Sequence, residues 1–597
     1  MGEYSPDVLI FCSAKAALLP RQHEVFVRRR PILLNCVLVV ITACCPSFAQ
    51  QSARIAPADI LILRAKIYTL NPKIPWAQAV AIRHGKIVAV GTNEAVEKMR
   101  GIGTRVIDAG GRVVLPGFTD CHVHFYEGSV ALGQVSLDGL ATVAEIQNAL
   151  REYAARHPGD SWILGRGWNY AVFGEEALPH KKYLDELFPN RPVFLEGYDG
   201  HTFWANSKAL ALAGVNKSTP DPVNGFIVHD SKTGEPTGAL KEDADTLIRK
   251  VIPQPSEAEK LNAFRTGMKW ANKNGITRVH SAGGDYQYLA LLEELRKDNQ
   301  LSIRFYVSYR LDSYELRKED LETIELNRKK YRDDWIDTNA VKMMLDGVVE
   351  THTAALLAPY TDQPSSKGAL FWDLAKYQNA VTELDKRGVQ LFTHAVGDYA
   401  IRTALDTYEL AEKKNHTKDH RSRIEHIETI DASDIPRFAQ LGVIASMQPL
   451  HAYPDADTLD VWARNIGPDR ATRAWLWKTI ANDGGQYAFG SDWPIVTLNP
   501  WEGLQTAVTR QTEEQTPAGG FVPSQRLTVA EAVEGYTRDA AYAGRREKTE
   551  GSVELGKVAD LIIIDRNIFE IDAHNIGKTN VLTTIIGGKI VYEAENK

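Results

Sequence analysis

Two histidines one residue apart, His122-Val123-His124, follow the apolar run Arg112 to Leu115 and a Pro116-Gly117 turn. Alternate side chains of an extended chain share a face, so both imidazoles point to one side and can clamp one cation. A His-x-His pair alone is more often an ordinary surface or core pair than a metal site. The positions of Lys342, His394, His426 and Asp492 change that reading, because each sits in or at the end of a separate strand that the pattern predicts. Imidazoles around a divalent cation activate water for attack on a carbonyl, and a carboxylate such as Asp492 can pass the proton to a leaving nitrogen.

The elements that would position these residues alternate between strand and helix. Strands are predicted to end at His122, His280, Tyr309, Asp346, His394, His426, Gln448 and Asp492. Helical periodicity separates them over Ser256 to Asn274, Tyr286 to Arg296, Leu374 to Arg387 and Ala400 to Lys414. Eight such units predict an α/β fold, a (β/α)8 TIM-type barrel over 116–544, whose active site is built at the C-terminal ends of the strands.

Residues 50–115 read differently, as short alternating strands such as Asp59 to Leu63 and Lys86 to Val90. The stretch 545–597 has the same texture in Ala559 to Asp565 and Val581 to Val591. The two chain ends are expected to complete one small β-sandwich. About 130–255, after the first barrel strand, is too long for one crossover and reads as an inserted subdomain or lid.

The 597 residues are 44% hydrophobic and 24% charged, with net charge -7 and no long Lys/Arg block after residue 50, which argues against a nucleic-acid partner. Arg28-Arg29-Arg30 precedes the uncharged run Ile32 to Cys45, and Ser47-Phe48-Ala49 closes it with small residues: a signal region over 1–49, cleaved before Gln50. The run is shorter than the roughly 20 residues a membrane span needs. A periplasmic or secreted protein is expected, with Ile41-Thr42-Ala43-Cys44 offering a lipoprotein anchor at Cys44 as the alternative. Of five cysteines only Cys121 follows this segment, so the mature chain can form no internal disulfide.

The motifs resemble those of the amidohydrolase superfamily, family 3 branch, over essentially the whole mature chain. The matching stretches are Leu115 to His124, Val341-Lys342 with Asp346-Gly347, Thr393 to Asp398, Arg423-Ile-Glu-His426, Ser446 to Pro449 with His451, Phe489 to Asp492, and Gly551 to Leu561. The resemblance implies one or two divalent ions, zinc first among them. His122 and His124 would bind the first and His394 and His426 the second. Asp492 would coordinate the first ion and orient or deprotonate the water, and Lys342 would bridge as a carboxylated lysine, since an ammonium has no lone pair. The plainer alternative for Lys342 is a pair with Asp346 or another acid.

Within the insertion, Gly165 to Asn169 and Asp199-Gly200-His201 also resemble the branch. Trp168 could form an apolar wall, or simply be a packed core residue; His201 could supply a polar contact to substrate. His451 could touch substrate or be a packed loop residue. Cys121 is expected on the opposite strand face from His122, as a buried thiol, and His280 departs from the acid the family often has there. The function expected is hydrolysis of a small-molecule amide-type C–N bond that is not a peptide bond, with a homodimer left open. A mononuclear deaminase and a non-catalytic barrel binding protein are the alternatives.

Overall fold

The computed structural model describes residues 56–595 apart from 160 and 177. The expected signal region, with Cys44 and the cleavage expected before Gln50, lies outside the described residues.

Eight parallel strands form one sheet in sequential order. They are β1 (Phe118–Val123), β2 (Ile276–Ser281), β3 (Arg304–Arg310), β4 (Ile336–Met344), β5 (Gln390–Ala395), β6 (Arg423–His426), β7 (Ile444–Met447) and β8 (Gln486–Phe489). Beyond its last residue β8 continues toward β1, where a parallel bridge Val123↔Trp493 closes the barrel. The Asp492 N–H donates to His122 O at 2.6 Å and the His124 N–H to Trp493 O at 2.7 Å. The fold is the (β/α)8 barrel anticipated from the pattern. Asp346, Gln448 and Asp492 lie just past their strands rather than at their last residues.

The helices follow local chemistry. Ser256 caps Glu257–Lys273 through a capping box with Glu259, and Asp373 caps Leu374–Lys386 by accepting from the Lys376 N–H. Strands β1, β5, β6 and β7 are buried at every residue, as expected of a parallel sheet covered by helices outside and packed side chains inside.

Two sheets flank the barrel at the chain ends. One has four strands, all between Ile60 and Asp108; the other has six, three of them from Leu561–Ile564, Val581–Ile586 and Lys589–Glu593. Leu561 pairs with Pro116 and Ile563 with Val114, so both ends of the chain share one sheet and one core that includes Ile62, Val80, Val114 and Ile585.

Two buried ion pairs join these sheets to the barrel. Arg278 of β2 holds Glu550 through two 2.7 Å hydrogen bonds, and Arg304 of β3 holds Asp560 at 2.7 and 3.0 Å. Removing one partner of such a pair strands a buried charge. Glu550→Ala should therefore lower the unfolding free energy by ~3–5 kcal/mol, read as a fall in denaturant midpoint. The exposed Lys66–Glu570 pair is the control, and Glu570→Ala should leave that midpoint in place.

After β1 the chain builds a six-stranded mixed sheet, from Val135–Ser136 to Pro236–Glu242. Its core contains Leu150, Ile163, Leu195 and Trp204. Trp168 belongs to this core: it is fully buried and its indole N–H donates to Leu195 O at 3.3 Å. Trp168 lies in that core and not among the residues that line the cavity at the barrel mouth, which fits the packing alternative rather than the substrate wall.

Candidate metal centre

The C-terminal ends of the strands bring His122, His124, Lys342, His394, His426 and Asp492 to the wall or floor of one cavity of about 410 Å³. Close packing of β8 on β1 starts with Gly490, where a Cβ would fall 2.4 Å from the His122 backbone nitrogen. That approach lets Asp492 lie beside His122 of β1 and His124 just past its end. Its Oδ1 is 3.4 Å from His122 Nε2 and 3.2 Å from His124 Nε2, and its Oδ2 is 3.8 Å from His426 Nδ1. The rings of His122 and His426 are 4.8 Å apart and those of His394 and His426 4.5 Å.

Hydrogen bonds at the back of each ring imply its tautomer. His122 Nδ1 donates to Glu425 Oε2 at 2.6 Å, leaving the Nε2 lone pair toward Asp492 and Lys342. His426 Nδ1 donates to Gln448 Oε1 at 2.9 Å, and His394 Nε2 to Gly347 O at 3.2 Å. Burial, reinforced by Lys342, pushes His122 down to about 4 and His394 to about 3, so both are neutral and able to ligate. Burial and the neighbouring His394 hold His426 well below its usual range.

The residues fit a divalent cation. His122, His124 and Asp492 offer donor atoms within 4.8 Å of one another, and so do His426, His451 and Asp492. Asp492 Oδ1 is shut off from solvent and accepts no hydrogen bond from the described residues, although two imidazole nitrogens are within 3.4 Å. Imidazole nitrogen and carboxylate donors converging in this way suit zinc and similar ions.

His451, anticipated as a substrate contact, lies inside this constellation. Its Nε2 is 3.5 Å from Asp492 Oδ2, its Nδ1 is 3.7 Å from Glu428 Oε1, and its ring stacks parallel on His426 at 5.7 Å. His201 lines the same cavity from the inserted sheet.

Lys342 is buried, with Nζ 3.2 Å from His122 Nε2 and no ion pair within 4 Å among the described residues. Asp346 is committed elsewhere, accepting from the backbone N–H groups of Ala355, Val396 and Gly397. The plain Lys342–Asp346 pair is thereby corrected. Burial brings the Lys342 amine down to about 8.

Beneath the cavity lies a network that strand alternation did not reveal. Arg423, fully buried, donates to Glu425 Oε1 at 2.8 Å, to His280 Nδ1 at 2.9 Å and to Cys121 O at 2.8 Å. Burial alone would raise the Glu425 carboxyl, but Arg423 beside it and the His122 hydrogen bond hold it at about 2. His280 therefore closes the network as an acceptor. Cys121 packs on Ile444 and Ala488, and burial pushes its thiol up.

Glu425 was legible only as the neighbour of His426, which alternation would put on the other face. The backbone resolves this. His426 (φ 76°) and Asp492 (φ 64°) both adopt left-handed conformations that non-glycine residues rarely take. The turn at the end of β6 lets Glu425 point into the barrel while His426 reaches its mouth.

Comparisons agree with this geometry. The sequence profile of the amidohydrolase family matches residues 105–592. Protein LONG AFTER FAR-RED 3 of Arabidopsis thaliana is 32% identical over 90% of this chain and 92% of its own. The N-substituted formamide deformylase of Arthrobacter pascens is 28% identical over 90% of this chain and 98% of its own. Among solved structures, an uncharacterized metal-dependent hydrolase from Pyrococcus furiosus superposes with a TM-score of 0.68 at 25% identity, covering 86% of this chain and 100% of that one.

Proposed function

Because the chain belongs to the amidohydrolase family, we propose that it is an exported metal-dependent hydrolase that cleaves a non-peptide C–N bond of a small amide, an N-substituted formamide or N-acyl amine foremost. The observation that carries this reading is the convergence of His122, His124, His426 and His451 on the two oxygens of one buried carboxylate, Asp492. Such a donor set sits where barrel enzymes build their active sites.

His122, His124 and Asp492 would hold one ion, and His394 and His426, with His451 beside them, a second. A bound divalent ion supplies an acidified water and a polarised carbonyl. Asp492 orients the attacking water, takes its proton at a carboxylate oxygen and returns it to the leaving nitrogen. Water and amide thus become carboxylate and ammonium, the second proton of the water also passing to the amine. Lys342, buried and with no ion pair within 4 Å among the described residues, would add the neutral form of its amine to carbon dioxide, losing a proton, and the carbamate so formed would offer oxygen donors to an ion. Export rests on Arg28 to Arg30 and the apolar run after them. No helix among the described residues is long and apolar enough to cross a membrane.

The test is metal analysis of the purified full chain coupled to a screen of formamides, N-acyl amino acids and cyclic amides. About two ions per chain and amine release support the binuclear amidase. One ion with ammonia release turns the reading to deamination, and no turnover by metal-loaded protein on the whole panel overturns it.

A further inference from the structure

The inserted sheet contributes more than a cover. His201 lies in the turn Asp199-Gly200-His201 between the strands Val193–Gly197 and Thr202–Ala205. Gly200 makes this turn at φ 75°, where a side chain would be strained, and its Cβ position is 3.8 Å from Ile495, three residues past Asp492. The turn therefore packs against the loop that carries the central carboxylate. Asp199 Oδ1 accepts the His201 backbone N–H at 3.0 Å, and Oδ2 accepts the Tyr170 hydroxyl at 2.9 Å.

Glu242, at the end of the neighbouring strand Pro236–Glu242, grips His201 twice. Its backbone N–H donates to His201 O at 2.9 Å, and its Oε2 accepts from His201 Nδ1 at 2.8 Å. It does so in a left-handed backbone conformation (φ 48°, ψ -136°) that only glycine adopts freely. With Nδ1 taken, Nε2 is the nitrogen left to act; it makes no hydrogen bond among the described residues, and His201 lines the same cavity as His124, His394, His426 and Asp492.

We propose that His201, clamped by Glu242, is a catalytic residue that donates a hydrogen bond from Nε2 to a substrate oxygen carrying or gaining negative charge. This rests on the hydrolase reading and adds to it a donor on the inserted sheet, separate from the metal ligands. Glu242 is the positioning residue, acting through His201. The surrounding charges fit donation rather than proton abstraction. Glu242 on its own strand pair and Asp199 in its own turn face the imidazole and, against the effect of burial, raise it to about 9; Glu350 beyond β4 adds least, since burial pushes its own carboxyl well above the usual range. An imidazolium has an N–H on both nitrogens and no lone pair to serve as a base.

The experiment uses the full chain loaded with zinc, as wild type, His201→Gln, His201→Ala and Glu242→Gln, with melting curves to confirm folding. In histidine-labelled protein, the NMR resonance missing from His201→Gln should stay protonated past pH ~8 in wild type and titrate near its ordinary ~6.5 in Glu242→Gln. Acetate, a simple carboxylate, should shift that resonance saturably in wild type and more weakly in Glu242→Gln. With the best substrate of the amide panel, His201→Ala should lose about 10²–10³-fold in kcat/KM, and His201→Gln, which keeps a neutral donor, should lose less.

The Glu242→Gln profile should lose its alkaline limb earlier, a change that a merely structural clamp would not produce. An oxygen that gains charge in the reaction shows the loss in kcat, and one charged from the start shows it in KM. A His201 that is neutral at pH ~7, no response to acetate, or a folded His201→Ala within about threefold of wild-type kcat/KM would each overturn the proposal. Absence of any amide turnover would sink the hydrolase reading instead, and the protonation and acetate measurements would still decide this one.

Discussion

Asp492→Asn is expected to abolish turnover, lowering kcat/KM by about 10³-fold or more, while the protein stays folded. The substitution keeps the shape of the side chain and removes its charge. The Asp492 carboxylate lies within 3.8 Å of His122, His124, His426 and His451 together, so an amide there weakens the ligand set and removes the carrier for the proton. Burial alone would raise the Asp492 carboxyl, yet His122, His124 and His426 beside it hold it well below the usual carboxylate range. Metal content, kcat/KM and a melting curve on the same sample check this. A variant that binds metal normally and keeps more than about a tenth of wild-type kcat would remove Asp492 from both roles.

Glu425→Ala should do its damage without touching substrate. Two groups depend on this carboxylate: His122, whose tautomer it sets, and Arg423, whose buried charge it balances. Losing the first should weaken metal binding by about 10–100-fold, the usual effect of removing an outer carboxylate from a ligating histidine. Losing the second leaves a guanidinium with no solvent access whose remaining hydrogen-bond partners among the described residues are His280 and the Cys121 carbonyl, a loss of ~3–5 kcal/mol in stability. Competition with a chelator measures the first and denaturant unfolding of the metal-free protein the second. Glu425→Gln, which can still accept from His122, should retain much of the metal affinity. In the Arg423→Met/Glu425→Gln double variant the stability losses should sum to less than the two single losses, because neither charge is then left alone. Additive losses would show that the pair is not coupled.

Both expectations depend on residues whose legibility differed. The barrel could be read from the chain because each βα unit carries its own signal: a short apolar strand, a polar turn, a helix with caps such as Ser256 and Asp373. The ends of the eight strands located His122, His394, His426 and Asp492 to within a few residues, which suffices when the fold itself gathers all strand ends at one mouth. The apolar rhythm of 561–564 and 581–586 likewise pointed to a sheet shared with the amino-terminal strands.

Other features needed the third dimension. Trp168 in a Gly-rich stretch reads equally well as wall or core, and only the sheet packed around it decides for core. His451 reads as a loop residue until its ring is seen on His426 and its nitrogen beside Asp492. The pairing of His201 with Glu242, 41 residues apart, is a product of strand order in the insertion.

By itself, then, the sequence determined the fold, the strand ends and the identity of the donors gathered there, because those depend on local periodicity and residue chemistry. Tertiary structure alone decided which side chains share a face at the mouth. The rule of alternation holds only while the backbone stays extended, and at His426 and Asp492 it turns left-handed. That turn sends Glu425 under His122 and brings Asp492 among the imidazoles, so the support and the centre of the site both arise where strand periodicity ends.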